Sequence, residues 1–184
     1  MERHNLILVT GGSRSGKSKF AEELLNEQEE VLYIATAIKT DLEMEDRIKK
    51  HIERRKKSWQ TFEGYKNLDE VIEKSNAQYV LLDCITIMVT NLLFEKERSF
   101  DSITLEDIES ILNEIKNEFK KLILKAKELN KTVIMVTNEI GSGIVPEYKI
   151  SRVFRDIAGI INQFIAGCCD EVYLIVCGLS LKLK

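Results

Sequence analysis

Proline is nearly absent: Pro146 is the only one in 184 residues, and nine glycines complete the stock of strong turn formers. So little of either leaves no material for a flexible linker, and no internal repeat stands out, so a single domain, residues 1–184, is expected. Long apolar runs are missing too; none approaches the roughly 20 residues of a membrane span. The opening MERHN turns straight into a β-prone run, so no signal peptide is read there. Histidine is reduced to His4 and His51. The four cysteines, Cys84, Cys168, Cys169 and Cys177, form no C-x-x-C pair and have no histidine at ligand spacing, which excludes the usual zinc arrangements. They read as buried, reduced thiols of a cytoplasmic protein. Excess positive charge is lacking as well: the net charge of −3 argues against a general nucleic-acid coat.

What is present begins with LILVTGGSRSGKS, residues 6–18. Leu6 to Thr10 are an apolar, β-prone run. Gly11, Gly16, Lys17 and Ser18 then complete G-x-x-x-x-G-K-S, the phosphate-binding loop between a strand and a helix. Its glycines let successive backbone N–H groups turn inward around a phosphate chain. Lys17 supplies a point charge for the β- and γ-phosphates, and the Ser18 hydroxyl a ligand for Mg²⁺. The helix the motif requires is predicted over Lys17 to Leu25, where Phe20, Ala21, Leu24 and Leu25 recur at helical spacing.

Four further apolar runs read as buried strands: Val31 to Thr36, Tyr79 to Asp83, Thr132 to Thr137 and Glu171 to Cys177. The first ends in Ala35, Thr36 and Ala37, small residues that a ligand could approach closely. The second ends in Asp83. A strand-end aspartate caps an ordinary turn, but beside a phosphate loop it reads as a second Mg²⁺ carboxylate. Helices are predicted over Leu68 to Lys74, Ile85 to Phe94 and Ile150 to Cys169. A long amphipathic one follows the capping-box-like Thr104 to Asp107, with Leu105, Ile108, Ile111, Leu112, Ile115, Phe119, Leu122, Ile123, Ala126 and Leu129 on one face. In the last helix, Val153, Phe154, Ile157, Ile160, Ile161, Phe164 and Ile165 mark the buried side. Trp59 to Phe62 is predicted to be a short extended piece, and Leu179 to Leu183 an antiparallel edge strand. The sum is an open, mostly parallel α/β sheet with helices on both faces.

Asp41 to Lys57 reads as a helix, supported by opposite charges four apart at Glu43/Arg47, Glu45/Lys49 and Asp46/Lys50. Lys49, Lys50, Arg54, Arg55, Lys56 and Lys57 make its end basic. That pattern suits a solvated face; it also suits an arginine-bearing element that folds over nucleotide phosphates. A lone helical histidine is usually structural or solvated. The alternative for His51 is specific, because a neutral imidazole is a good nucleophile at neutral pH. Its attack on the α-phosphorus of a nucleoside triphosphate would expel pyrophosphate and leave a nucleotidyl-histidine, with Arg47, Arg54 and Arg55 to neutralise phosphate charge.

Several blocks in order carry a resemblance that spans nearly the whole chain. They are ILVTGGSRSGKS (7–18), VLYIAT (31–36), EMEDRIKKHIERR (43–55), W-x-T-x-E (59–63), LLDCITIMVTNLLF (81–94), VTNEIGSGIVPE (136–147), FRDIAGIINQ (154–163) and DEVYLIVCGLSLKLK at the end. The chain resembles the bifunctional adenosylcobinamide kinase/adenosylcobinamide-phosphate guanylyltransferase family of cobalamin biosynthesis. The resemblance implies a RecA-like P-loop fold, a homotrimer, ATP and GTP as substrates with Mg²⁺, and adenosylcobinamide and its phosphate as partners. It places the nucleotide loop on Gly11, Gly12, Ser13, Arg14, Ser15, Gly16, Lys17 and Ser18. The guanylylated histidine of R-I-x-x-H falls on His51. Further nucleotide contacts fall on Ala35, Thr36, Ala37, Ile52, Glu53, Arg54, Glu63 and Asp83. Some members carry two adjacent histidines where this chain has Lys50-His51; the R-I-x-x-H spacing favours His51. A kinase of another small molecule without a covalent nucleotide, and a nucleotide-switched binding module, are the competing readings of the residues.

Overall fold

Leu6 to Thr10 have apolar side chains on both faces, so the segment is stable only with helices above and below it. It forms β1 (Leu6–Gly11), an interior strand of the sheet. The computed structural model describes residues 6–37, 56–95, 100 and 102–184. Among these the other strands are β2 (Val31–Ala35), β3 (Gln60–Glu63), β4 (Tyr79–Asp83), β5 (Thr132–Val136), β6 (Glu171–Val176) and β7 (Leu179–Lys182). The helices are α1 (Lys17–Glu23), α2 (Leu68–Lys74), α3 (Ile85–Phe94), α4 (Leu105–Glu128) and α5 (Lys149–Cys168). The strands lie in the order β3-β2-β4-β5-β1-β6-β7. All neighbours are parallel except β6 and β7, which form an antiparallel hairpin at the edge.

Strand alternation divides the interior in two. Leu6, Leu8, Leu32, Ile34, Val80, Leu82, Val133 and Met135 face one way, into a core closed by α2, α3, α4 and α5. Ile7, Val9, Val31, Tyr33, Leu81, Ile134 and Val136 face the other, where Ala21 and Leu25 from the α1 segment cover them. The helix α4 begins at a reciprocal cap. Asp107 N–H donates to Thr104 Oγ1 at 3.1 Å, and Thr104 N–H donates to Asp107 Oδ2 at 3.0 Å.

Several expectations are corrected. Leu105 is 85% exposed, because it lies in the first turn of α4, ahead of the buried stripe that starts at Ile111. Ile160 is 39% exposed, because the buried stripe of α5 runs Val153, Ile157, Ile161, Ile165 and leaves it at the margin. Cys177 is exposed and Cys168 half-buried; only Cys84 and Cys169 are buried thiols. The predicted helix over 41–57 lies outside the described residues up to 55, but its end differs. Lys56 and Lys57 are not helical, and Lys56 Nζ is drawn to Asn26 O (2.5 Å) and Glu29 Oε1 (3.0 Å).

Candidate nucleotide site

The loop after β1 has a backbone that only its glycines permit. Gly11 has φ 151°, and a Cβ there would lie 2.3 Å from the carbonyl oxygen of Ile175 on β6. Gly16 has φ 102°, and Arg14 between them is also left-handed at 57°. Ser15 N–H closes a turn on Gly12 O at 3.3 Å, and Phe20 N–H donates to Gly16 O at 3.0 Å as α1 begins. Gly12, Ser13 and Arg14 are exposed; Ser15, Gly16 and Ser18 are half-buried. Lys17 is 7% exposed and curls over the loop to donate from Nζ to Gly12 O at 2.5 Å. Burial pushes its pKa below the ordinary 10.5, while Cys84 and Asp83 pull it back up.

One row across the sheet gathers the other described candidates. Glu63 pairs with Ala35, Ala35 with Asp83, and Asp83 with Val136, so the ends of β3, β2, β4 and β5 are level. Val136 pairs in turn with Val9, two residues before Gly11. The strand-end positions and the phosphate loop therefore share one edge of the sheet, the carboxyl end where α/β proteins bind ligands. Tyr33 Oη, in the core beneath α1, donates to Asp83 Oδ2 at 2.8 Å, so Asp83 points to the face of the sheet that carries Lys17. Glu63 is exposed and Ala37 half-buried. Thr36 is fully buried: its hydroxyl donates to Cys84 O and accepts from Cys84 N–H, both at 2.8 Å, and Asn91 Nδ2 holds its carbonyl at 2.8 Å. Its side chain thus ties the end of β2 to the start of α3. The Asp83–Cys84 peptide is cis. Burial, with Asp83 beside it, pushes the Cys84 thiol up to about 12.

His51, Ile52, Glu53 and Arg54 lie outside the described residues, as do Arg47, Arg55 and His4. Ser18 and Asp83 offer a hydroxyl and a carboxylate, the hard-oxygen donors that suit Mg²⁺. No group of three or more His, Cys, Asp or Glu able to hold a metal occurs among the described residues. A cavity of about 240 Å³ lined by Glu30, Val31, Ser58 and Gln60 opens at the amino ends of β2 and β3, the opposite edge from the loop.

Sequence reasoning missed three features here. Tyr33 looked like one more apolar strand residue, and nothing in VLYIAT signals that its hydroxyl meets Asp83. Thr86, Thr137 and Asn162 form a buried chain, Thr86 Oγ1 lying 3.3 Å from Thr137 Oγ1, which donates to Asn162 Oδ1 at 2.8 Å. The tip of the β6–β7 hairpin, Cys177 and Gly178 at φ 53° and 80°, rests on the phosphate loop, with Gly178 N–H donating to Ser15 O at 2.9 Å. Two φ-positive residues are the signature of a tight hairpin, but no local signal reveals what its tip touches.

A parallel sheet whose interior strand runs through Gly-x-x-x-x-Gly-Lys-Ser into a helix, with a strand-end aspartate on the same face, defines an α/β P-loop nucleotide-binding protein. Residues 7–183 match the model of the family described as cobinamide kinase / cobinamide phosphate guanyltransferase, and the chain belongs to that family. It is 44% identical over 183 residues to the bifunctional adenosylcobalamin biosynthesis protein CobU of Escherichia coli, covering 97% of this chain and 99% of that one. The protein of the same name from Salmonella typhimurium is 45% identical over 181 residues, with the same coverage. The bifunctional adenosylcobalamin biosynthesis protein CobP of Pseudomonas aeruginosa is 37% identical over 180 residues and 96% of each chain. Among solved structures, a type III secretion system ATPase of pathogenic bacteria superposes with a TM-score of 0.56 at 12% identity, covering 97% of this chain and 57% of the other. A Pyrococcus horikoshii protein gives 0.51 at 9% identity, covering 100% and 88%. At such identities these two speak to the fold alone.

Proposed function

We propose that the chain carries out two successive transfers on one substrate in cobalamin biosynthesis. The observation that carries this reading is the family match over residues 7–183, which spans both the phosphate loop and the His51 segment. In the first transfer, the aminopropanol hydroxyl of adenosylcobinamide attacks the γ-phosphorus of ATP or GTP. The bond from the γ-phosphorus to the β–γ bridging oxygen breaks, the hydroxyl proton passes to solvent, and a nucleoside diphosphate leaves. Lys17 neutralises charge on the β- and γ-phosphates, released from Gly12 O by the arriving phosphate oxygens. Ser18 and Asp83 would hold Mg²⁺, which when bound screens the phosphate charge. Tyr33 fixes the Asp83 carboxylate for that task.

In the second transfer a ring nitrogen of His51 attacks the α-phosphorus of GTP, and pyrophosphate departs. A phosphate oxygen of adenosylcobinamide phosphate then displaces the imidazole, giving adenosylcobinamide-GDP and restoring His51. Two displacements let one nucleotide site serve both reactions. Arg54 supplies positive charge to the phosphates, and Ala35, Thr36, Ala37, Ile52, Glu53 and Glu63 border the nucleotide. The chain works as a single domain, in the cytoplasm, as a homotrimer. No helix among the described residues is long and apolar enough to cross a membrane.

The test is product analysis. Purified protein given adenosylcobinamide, Mg²⁺ and ATP should accumulate the phosphate ester, and addition of GTP should convert it to the GDP derivative with one pyrophosphate per turnover. Formation of the ester with no further conversion would leave a simple kinase, and no reaction with any corrinoid would overturn the assignment.

A further inference from the structure

Beyond β5 the chain keeps its extended course for three residues along β1. Thr137 N–H donates to Val9 O and Glu139 N–H to Gly11 O, both at 2.9 Å. Asn138 between them turns its own backbone the other way: its N–H donates to Thr86 Oγ1 at 2.7 Å, and its carbonyl accepts from Asn162 Nδ2 at 3.2 Å. Thr137 sends its side chain into the core with α3 and α5, where Thr86 and Asn162 meet it. By alternation Asn138 projects from the opposite face, the one shared by Ile134, Val136 and α1. Asp83 projects from that face as well, one strand over, its carboxylate fixed by Tyr33. On the other side stands Gly11, the first residue of the phosphate loop, and next to it Gly12, whose carbonyl holds the Lys17 ammonium.

Asn138 is half-buried, and its carboxamide has no hydrogen-bond partner among the described residues; the hydrogen bonds at this position are made by its backbone. Its neighbour Glu139 is committed otherwise. Burial raises the Glu139 pKa, but hydrogen bonds from the Ser142 side chain and from the N–H groups of Gly141 and Ser142 outweigh that and hold it below 4.5. A rigid backbone thus presents one uncommitted, neutral amide between the Mg²⁺ carboxylate and the loop lysine. In such loops the lysine marks the β- and γ-phosphates. An amide N–H there donates to a phosphate oxygen without adding charge repulsion.

We propose that Asn138 is a phosphate-contacting residue whose carboxamide meets the terminal phosphoryl group of the bound nucleoside triphosphate. This rests on the nucleotide-site reading above but not on the identity of the acceptor. Loss of a hydrogen bond to a charged group is worth about a ten- to hundredfold change in affinity, so Asn138→Ala should weaken a β,γ-methylene GTP analogue by that factor while GDP binding changes by less than about twofold. Its melting temperature should stay close to the wild-type value, since the side chain makes no hydrogen bond among the described residues. Asn138→Asp keeps the shape but adds a negative charge, and should lose at least as much affinity for the analogue. Equal losses for analogue and GDP, or no loss for either variant, would overturn the proposal. If the wild type binds neither nucleotide, the phosphate-loop reading falls and this inference with it. If it binds both as described but phosphorylates no corrinoid, only the functional assignment falls.

Discussion

Lys17 sits in an unfavourable place for a cation. Its ammonium is largely buried and satisfied by a single carbonyl of the loop it serves. Burial depresses its pKa, so the unfolded chain holds that proton more tightly than the folded one. Folding of the empty protein therefore gains stability as pH rises through the window between the depressed value and 10.5. Nucleotide binding has the opposite sign, because phosphates raise the pKa of the ammonium they face. Affinity for GTP should hold below the free-protein pKa of Lys17 and fall above it, with net proton uptake on binding. Calorimetry in two buffers of different ionisation enthalpy measures that uptake; its absence at alkaline pH in the wild type, or its persistence in Lys17→Ala, would refute the linkage. Residue identity at the loop was legible because the motif is local. Asp83 was expected beside the loop from its place at a strand end, but the burial that lowers the Lys17 pKa, and the nearby Cys84 more than sixty positions away, leave no mark in the motif. The cysteines show the same limit. EVYLIVC reads as one apolar run, but β6 stops at Val176 and Cys177 sits at a left-handed turn in solvent.

Elements with sharp local ends were readable to the residue. Leu68–Lys74, Tyr79–Asp83 and Ile85–Phe94 have the predicted bounds, because each is a continuous pattern closed by a polar or turn-forming stretch. The capping box at Thr104 was equally visible, although Asp107 replaces the usual Glu or Gln. Thr104→Ala removes the acceptor for the Asp107 N–H and should cost about 1 kcal/mol, read as a lower melting temperature with the fold unchanged. No measurable loss would mean the N-terminus of α4 frays in solution. Tertiary contacts defeated the local pattern where the basic segment ends. Its charges continue to Lys57, yet Lys56 and Lys57 are not helical, and Lys56 meets Asn26 and Glu29 instead. Likewise the apolar pattern could not say that Leu105, Ile160, Leu179, Leu181 and Leu183 stay exposed.

The strand order is a property of the whole molecule, and no run of residues encodes it directly. A mostly parallel α/β sheet was expected from alternating strands and helices, and the structure has it. The sequence left open which strand lies beside which. The answer, β4 and β5 on one side of β1 and the β6–β7 hairpin on the other, brings Asp83, Asn138 and Gly178 to one loop from positions far apart in the chain. The proposed second transfer depends on His51 reaching the first phosphorus of a triphosphate whose far end rests in that loop. Incubation with GTP labelled at the α-phosphorus, followed by peptide mapping, tests this most directly. Label is expected on the peptide containing His51, labile in acid, stable in alkali, and discharged by adenosylcobinamide phosphate. An unlabelled protein, or label that survives His51→Ala, would contradict it.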